Sequence, residues 1–183
     1  MFSYAFGRLS RVPNSPHAAV DLSCDILNKR FIPVNGNVFE HLGREAELLS
    51  KKLLEENPKV PFLYNLLGLI LSELKKNDEA VNVYKKGIKI DKKFSLFYNN
   101  LGIIYQSRGD YKKARTYYDK AGKLDKKLPE VQNNLGNLSR ILNNEKAAIT
   151  YFKKAINIKS SFFPAHFNLG ILYKNIGEFE KAR

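Results

Sequence analysis

A glycine recurs every 34 residues along this chain, at Gly68, Gly102, Gly136 and Gly170, and a leucine precedes each one, at Leu67, Leu101, Leu135 and Leu169. A second small residue keeps the same interval at Ala80, Ala114, Ala148 and Ala182. Four residues beyond the first three alanines stand Tyr84, Tyr118 and Phe152, and seven beyond stand Gly87, Ala121 and Ala155. Agreement among separate slots identifies tandem copies of one supersecondary unit, each of which needs a neighbour to bury its apolar face.

Within a copy the apolar spacing is helical twice over. Leu63, Leu67, Ile70, Leu71 and Leu74 follow the i, i+3, i+4 rule, and Ala80, Val81, Tyr84 and Ile88 follow it again after the polar break KKND. Each copy is therefore expected to be an antiparallel helical hairpin. Gly and Ala let two helix axes approach where they cross, and the aromatic is expected to fill the wider part of the seam. SRGD and KNIGE supply turn residues, while Pro61, Pro129 and Pro164 stand where first helices begin and a missing N–H costs nothing.

Small residues in these slots at this period resemble the tetratricopeptide repeat, over roughly Asn37 to Arg183. The resemblance implies an all-α fold, a right-handed α-solenoid of antiparallel helix hairpins. It divides the chain into an irregular or poorly ordered segment 1–36, a divergent leading helix or half-repeat 37–60, repeats at 61–94, 95–128 and 129–162, and a truncated repeat at 163–183. Ala46 occupies the alanine slot of the half-repeat, whereas Gly43 is off register. The proline usual near the end of a unit survives only as Pro58; Lys92, Lys126 and Ser160 take its place later, so those turns are expected to be looser.

The first helix of each hairpin carries its glycine on one side, and at 100° per residue the side chains at −6, −2, +1 and +5 from that glycine fall on nearly the opposite side. In the family that side resembles the concave groove of a superhelix. Asn100, Asn134 and Asn168 form a ladder at −2, with Asn137 at +1 and Asn175 at +5. A primary amide both donates and accepts, so such a ladder suits the backbone of an extended peptide whatever its side chains. The arrays of protein O-GlcNAc transferases carry asparagines in similar positions, and the resemblance implies a like use here; the plain alternative is a tolerated polar residue copied with the repeat. A clamp for a terminal carboxylate would need Lys or Arg on this strip. Arg140 and Lys174 lie only at its edge, which disfavours a chaperone-tail adaptor.

The net charge of +13 would ordinarily point to an anionic partner. Its location weakens that inference. Lys85, Lys86, Lys89, Lys153 and Lys154 fall on the side of second helices turned away from the seam, and Lys92, Lys93, Lys126 and Lys127 fall in turns between copies. The aromatics that base stacking would need are mostly consumed in the seams, so nucleic acid is not the expected partner. No phosphate loop, dinucleotide fingerprint or HExxH motif is present. His17, His41 and His166 are scattered, and Cys24 has no identifiable activating base, so no metal, cofactor or catalytic role is expected. No apolar run reaches the length of a membrane span.

The expected function is thus a non-catalytic protein-interaction scaffold that takes a protein or peptide partner in the groove. The alternative is the N-terminal substrate-recruiting arm of a larger glycosyltransferase or sulfotransferase, and the gene beyond Arg183 decides between them. The final copy is cut short at EFEKAR, which predicts either a continuing parent chain or end-to-end self-association at an uncapped C-terminus. A cytoplasmic location is expected; Arg8, Arg11 and the serines of the first twenty residues give an organelle transit peptide as the alternative.

Overall fold

The structure, a computed structural model, describes residues 36–177. The lead-in segment with His17 and Cys24, and the alanine slot at Ala182, lie outside those residues. The described residues form eight α-helices and no strand: α1 (Gly36–Glu56), α2 (Pro61–Glu73), α3 (Asn77–Ile90), α4 (Ser95–Ser107), α5 (Tyr111–Leu124), α6 (Pro129–Ile141), α7 (Glu145–Ile158) and α8 (Phe163–Asn175). First helices begin at Pro61, Ser95, Pro129 and Phe163, so the 34-residue interval of the sequence is the interval of the helices. The chain is an all-α array of helical hairpins in two compact units, one ending at Ile90 and the other beginning at Asp91.

In the first unit, α1 packs on α2 and α2 pairs with α3. Ala46 of α1 is buried against Leu66 and Ile70 of α2, with Leu74 beside them. Gly43, off register with the repeat glycines, faces Leu74. Glu47 is 6% exposed, and its carboxylate accepts from Lys51 Nζ at 2.6 Å and from Lys76 Nζ at 2.8 Å, tying α1 to the turn between α2 and α3. Burial by itself would raise the Glu47 pKa, but the two ammonium groups outweigh it and hold the carboxyl below its ordinary value.

In the second unit α4 pairs with α5 and α6 with α7, α5 packs on α6, and α7 packs on α8. First helices also touch in sequence, α4 on α6 and α6 on α8. Ala114, Ala121, Ala148 and Ala155 are fully buried.

The seam differs from the expected one in a specific way. The aromatic lies directly on the glycine rather than in a wider part of the crossing. A Cβ on Gly68, Gly102 or Gly136 would come within 2.3 to 2.5 Å of the ring of Tyr84, Tyr118 or Phe152 respectively. Each ring is essentially inaccessible to solvent, and its burial contributes about 1.5–3 kcal/mol. Tyr118 also donates its hydroxyl to Gln106 Oε1 at 3.0 Å, so the ring is fixed at its far end.

Every hairpin turn needs one residue in the left-handed region, and the slot is periodic: Lys75 (φ 64°), Gly109 (φ 76°), Asn143 (φ 56°) and Gly177 (φ 79°). This closes the first helix with a Schellman arrangement, as in Lys76 N to Leu71 O, Asp110 N to Tyr105 O and Asn144 N to Ser139 O. Asp110 and Asn144 then cap α5 and α7, accepting from Lys113 N and Ala147 N.

The turns between hairpins are not loosened by the absence of proline. A side chain six residues on reaches back to the substituted position: Tyr98 Oη donates to Lys92 O at 3.0 Å and His166 Nε2 bonds Ser160 O at 2.8 Å, as Tyr64 Oη does to Pro58 O at 2.9 Å. At the third position Asp125 Oδ1 accepts from Lys127 N at 2.8 Å, an Asx turn that fixes the backbone locally.

Candidate functional site

In the second unit the strip identified in the sequence lies on α4, α6 and α8. Its outer positions are open: Ile103 is 45% exposed, Ile141 40% and Ile171 36%, and Ser107 and Asn175 are accessible as well. Arg140 and Lys174 at its edge are exposed. In the first unit the −2 position is Leu66, buried beneath α1, so the amide ladder begins at α4.

The ladder asparagines do not simply face outwards. Asn100 is only 9% exposed, and Asn134 and Asn168 are half-buried. Asn134 Nδ2 donates to Asn99 Oδ1 at 3.0 Å, and Asn168 Nδ2 donates to Asn133 Oδ1 at 2.9 Å. Asn99 in turn donates to Asn100 Oδ1 at 3.3 Å, so Asn100, Asn99 and Asn134 form one chain of amides running from α4 to α6. The physical reason is burial. Where two first helices meet, amides that lose water must bond one another, and the partner offered is the −3 asparagine of the preceding helix. Asn99 and Asn133, 5% and 8% exposed, are members of this network that sequence reasoning missed. Their signal was the doubled asparagine at 99–100 and 133–134.

Asn137 differs from these. It sits at +1 on α6, at the slot where α4 carries Ile103 and α8 carries Ile171, and its Oδ1 is shielded from solvent with no hydrogen-bond partner. An acceptor left in that state costs about 1–3 kcal/mol.

On the second helices and the turns that follow them, the lysines occupy solvent-facing positions: Lys153, Lys154, Lys126 and Lys127 are exposed. Arg115 Nε bonds both carboxylate oxygens of Asp119, at 3.1 and 3.0 Å, while its Nη2 reaches Tyr151 Oη at 2.8 Å, joining α5 to α7. Among the described residues no group of three His, Cys, Asp or Glu side chains is placed to hold a metal, and no helix is long and apolar enough to cross a membrane.

A stack of helical hairpins with a glycine-on-aromatic seam and an open strip along its first helices defines a helical-repeat protein. The tetratricopeptide repeat family matches residues 95–161, and the TPR repeat family matches residues 68–107. Together the two span just over half of the 183 residues, and the chain is a tetratricopeptide-repeat protein. Solved structures share its fold. PilF of Pseudomonas aeruginosa aligns with a TM-score of 0.72 at 21% identity, covering 91% of this chain and 71% of PilF. A thermophilic TPR protein of Thermus thermophilus aligns at 0.73 and 16% identity, covering 92% and 86%. YrrB, described as a TPR protein with an unusual peptide-binding site, aligns at 0.60 and 24% identity, covering 73% and 69%. No curated protein sequence matches the chain.

Proposed function

We propose that the chain is a non-catalytic protein-interaction scaffold that takes an extended peptide or partner segment along the strip of α4, α6 and α8. The observation that carries this reading is the open +1 row of the strip, where Ile103 and Ile171 are 45% and 36% exposed on either side of Asn137, apolar surface that the array itself leaves uncovered. The isoleucines offer apolar contact to alternate side chains of an extended segment, and the half-buried Asn137 amide between them offers a polar group to its backbone. Asn134 and Asn168 each spend one N–H on the neighbouring helix and retain the rest of their hydrogen-bonding capacity for a ligand. Arg140 and Lys174, exposed at the edge, offer contacts to acidic side chains of such a segment rather than a clamp for its terminal carboxylate. The peptide-binding site named for YrrB is a property of a protein with the same fold and is consistent with this use.

The test is a selection of random linear peptides on the full chain, followed by calorimetry of an enriched peptide. Asn137→Ala should weaken binding roughly tenfold, about 1.4 kcal/mol, with a melting temperature no lower than the parent's. Replacing Asn100, Asn134 and Asn168 together is a poorer probe, because it also breaks the contacts between first helices. Enriched peptides that bind Asn137→Ala and Ile171→Lys as tightly as the parent would remove the strip from consideration.

A further inference from the structure

We infer that the crevice between α5 and α7, floored by α6, binds a phosphate monoester. Its volume is about 250 Å³, room for a small organic phosphate or a phosphorylated side chain. The first unit has a crevice in the corresponding place, between α1 and α3 over α2, and most of its wall positions are the same repeat slots two copies earlier. The chemistry of the two differs. Leu54, Glu55, Tyr64 and Val83 of the first correspond to Gly122, Lys123, Gln132 and Tyr151 of the second. The first crevice is balanced, with Lys51 and Lys86 against Glu55 and Glu79. In the second, Asp119 is the one acid on the wall, and Arg115 Nε already bonds both of its oxygens. Lys123 and Lys154 therefore line it with no carboxylate of their own among the described residues.

The neutral donors on this wall are unspent as well. Gln132 stands in the slot from which Tyr64 and Tyr98 reach back to the preceding turn, but Asp125 closes that turn here, and the Gln132 amide bonds no described residue. Tyr151 Oη accepts from Arg115 Nη2 at 2.8 Å, which leaves its own proton to donate. Gly122 replaces the Leu54, Ile88 or Ile156 of the other second helices. Packing does not demand a glycine there: a Cβ would meet Val131 Cγ1 at 3.3 Å and Gln132 Nε2 at 3.7 Å, whereas at Gly102 it would run into a ring. Glycine is unfavourable inside a helix, and its effect here is to clear a side chain from the wall beside the Gln132 amide. Ammonium groups from α5 and α7, an amide from α6 and a hydroxyl from α7 thus line one crevice whose acid is already held. Donors without a free acceptor select an anion. A phosphate monoester, with its three terminal oxygens and double charge, engages more of them than a carboxylate can. None of these residues belongs to the peptide strip, so this inference stands apart from the peptide reading.

The test titrates the full chain with phenyl phosphate and with benzoate and follows backbone amide chemical shifts by NMR, with the melting temperature of each variant as a check on folding. Saturable shifts are expected at Gly122 and Lys154, at lower concentrations of phenyl phosphate than of benzoate. Lys154→Gln, an exposed change that the fold tolerates, should weaken phenyl phosphate binding several-fold. Gly122→Leu, which restores the side chain that Leu54 supplies in the first unit, should weaken it about tenfold or more by filling the crevice. Lys153→Gln removes the same charge from the same helix outside the crevice and should leave binding unchanged. A short peptide carrying phosphoserine identifies the source: binding tighter than phenyl phosphate assigns the site to a phosphorylated protein, and weaker binding assigns it to a small organic phosphate, both upholding the chemistry. Absence of saturable shifts at the crevice, benzoate binding as tight as phenyl phosphate, or equal losses from Lys153→Gln and Lys154→Gln would each overturn the inference.

Discussion

Gly102 and Tyr118 are in direct contact across the α4–α5 hairpin, so closely that a Cβ on the glycine would lie 2.5 Å from the ring. The ring cannot yield, because it is 1% exposed and its hydroxyl is held by Gln106. Gly102→Ala should therefore destabilise the chain by about 1–3 kcal/mol despite the better helix propensity of alanine. Tyr118→Leu in that background should restore part of the loss. Denaturant unfolding followed by circular dichroism reads both; an alanine variant as stable as the parent would contradict the contact.

Asn99→Ala removes the acceptor of Asn134 Nδ2 and the donor to Asn100 Oδ1 at a buried site. A loss of about 1–3 kcal/mol is expected. Adding Asn134→Ala should cost less than the sum of the single changes, because the two residues share one bond. Strict additivity in the double-mutant cycle would show that they do not interact.

Lys75 holds the left-handed turn slot that Gly109 and Gly177 fill elsewhere. Its side chain makes that conformation unfavourable by about 1 kcal/mol. Lys75→Gly should accordingly raise stability by roughly 0.5–1 kcal/mol, and Gly109→Ala should lower it. Thermal melts of the two variants moving in the same direction would be the contrary result.

Glu47 sets an acid dependence. Its folded-state pKa lies below the ordinary 4.5, so its contribution is fully present above that value and is lost as pH falls through the lowered folded-state value. Glu47→Gln should be less stable than the parent at neutral pH, and the gap should close in that acid range. A gap that stays constant from neutral pH into strong acid would show that the ion pairs with Lys51 and Lys76 are not its source.

The hairpins were legible in the sequence because their determinants recur in the same slot. Glycine, alanine and aromatic each return after 34 residues, and periodicity alone reports which face of a helix they share. The turn clamps were harder to see: Tyr98 and His166 do the same work on Lys92 O and Ser160 O with unlike side chains, so no residue pattern marks them.

What the sequence by itself determined is the repeat, its helical hairpins and the close crossings at Gly68, Gly102 and Gly136, since these follow from side-chain size at fixed spacing. Only the tertiary structure decided the fate of the asparagines. The bonds from Asn134 to Asn99 and from Asn168 to Asn133 join residues 35 apart, one step off the repeat interval, because stacked helices interlock through neighbouring rather than identical positions. Which amides face a ligand and which face another helix depends on that offset, and packing sets it.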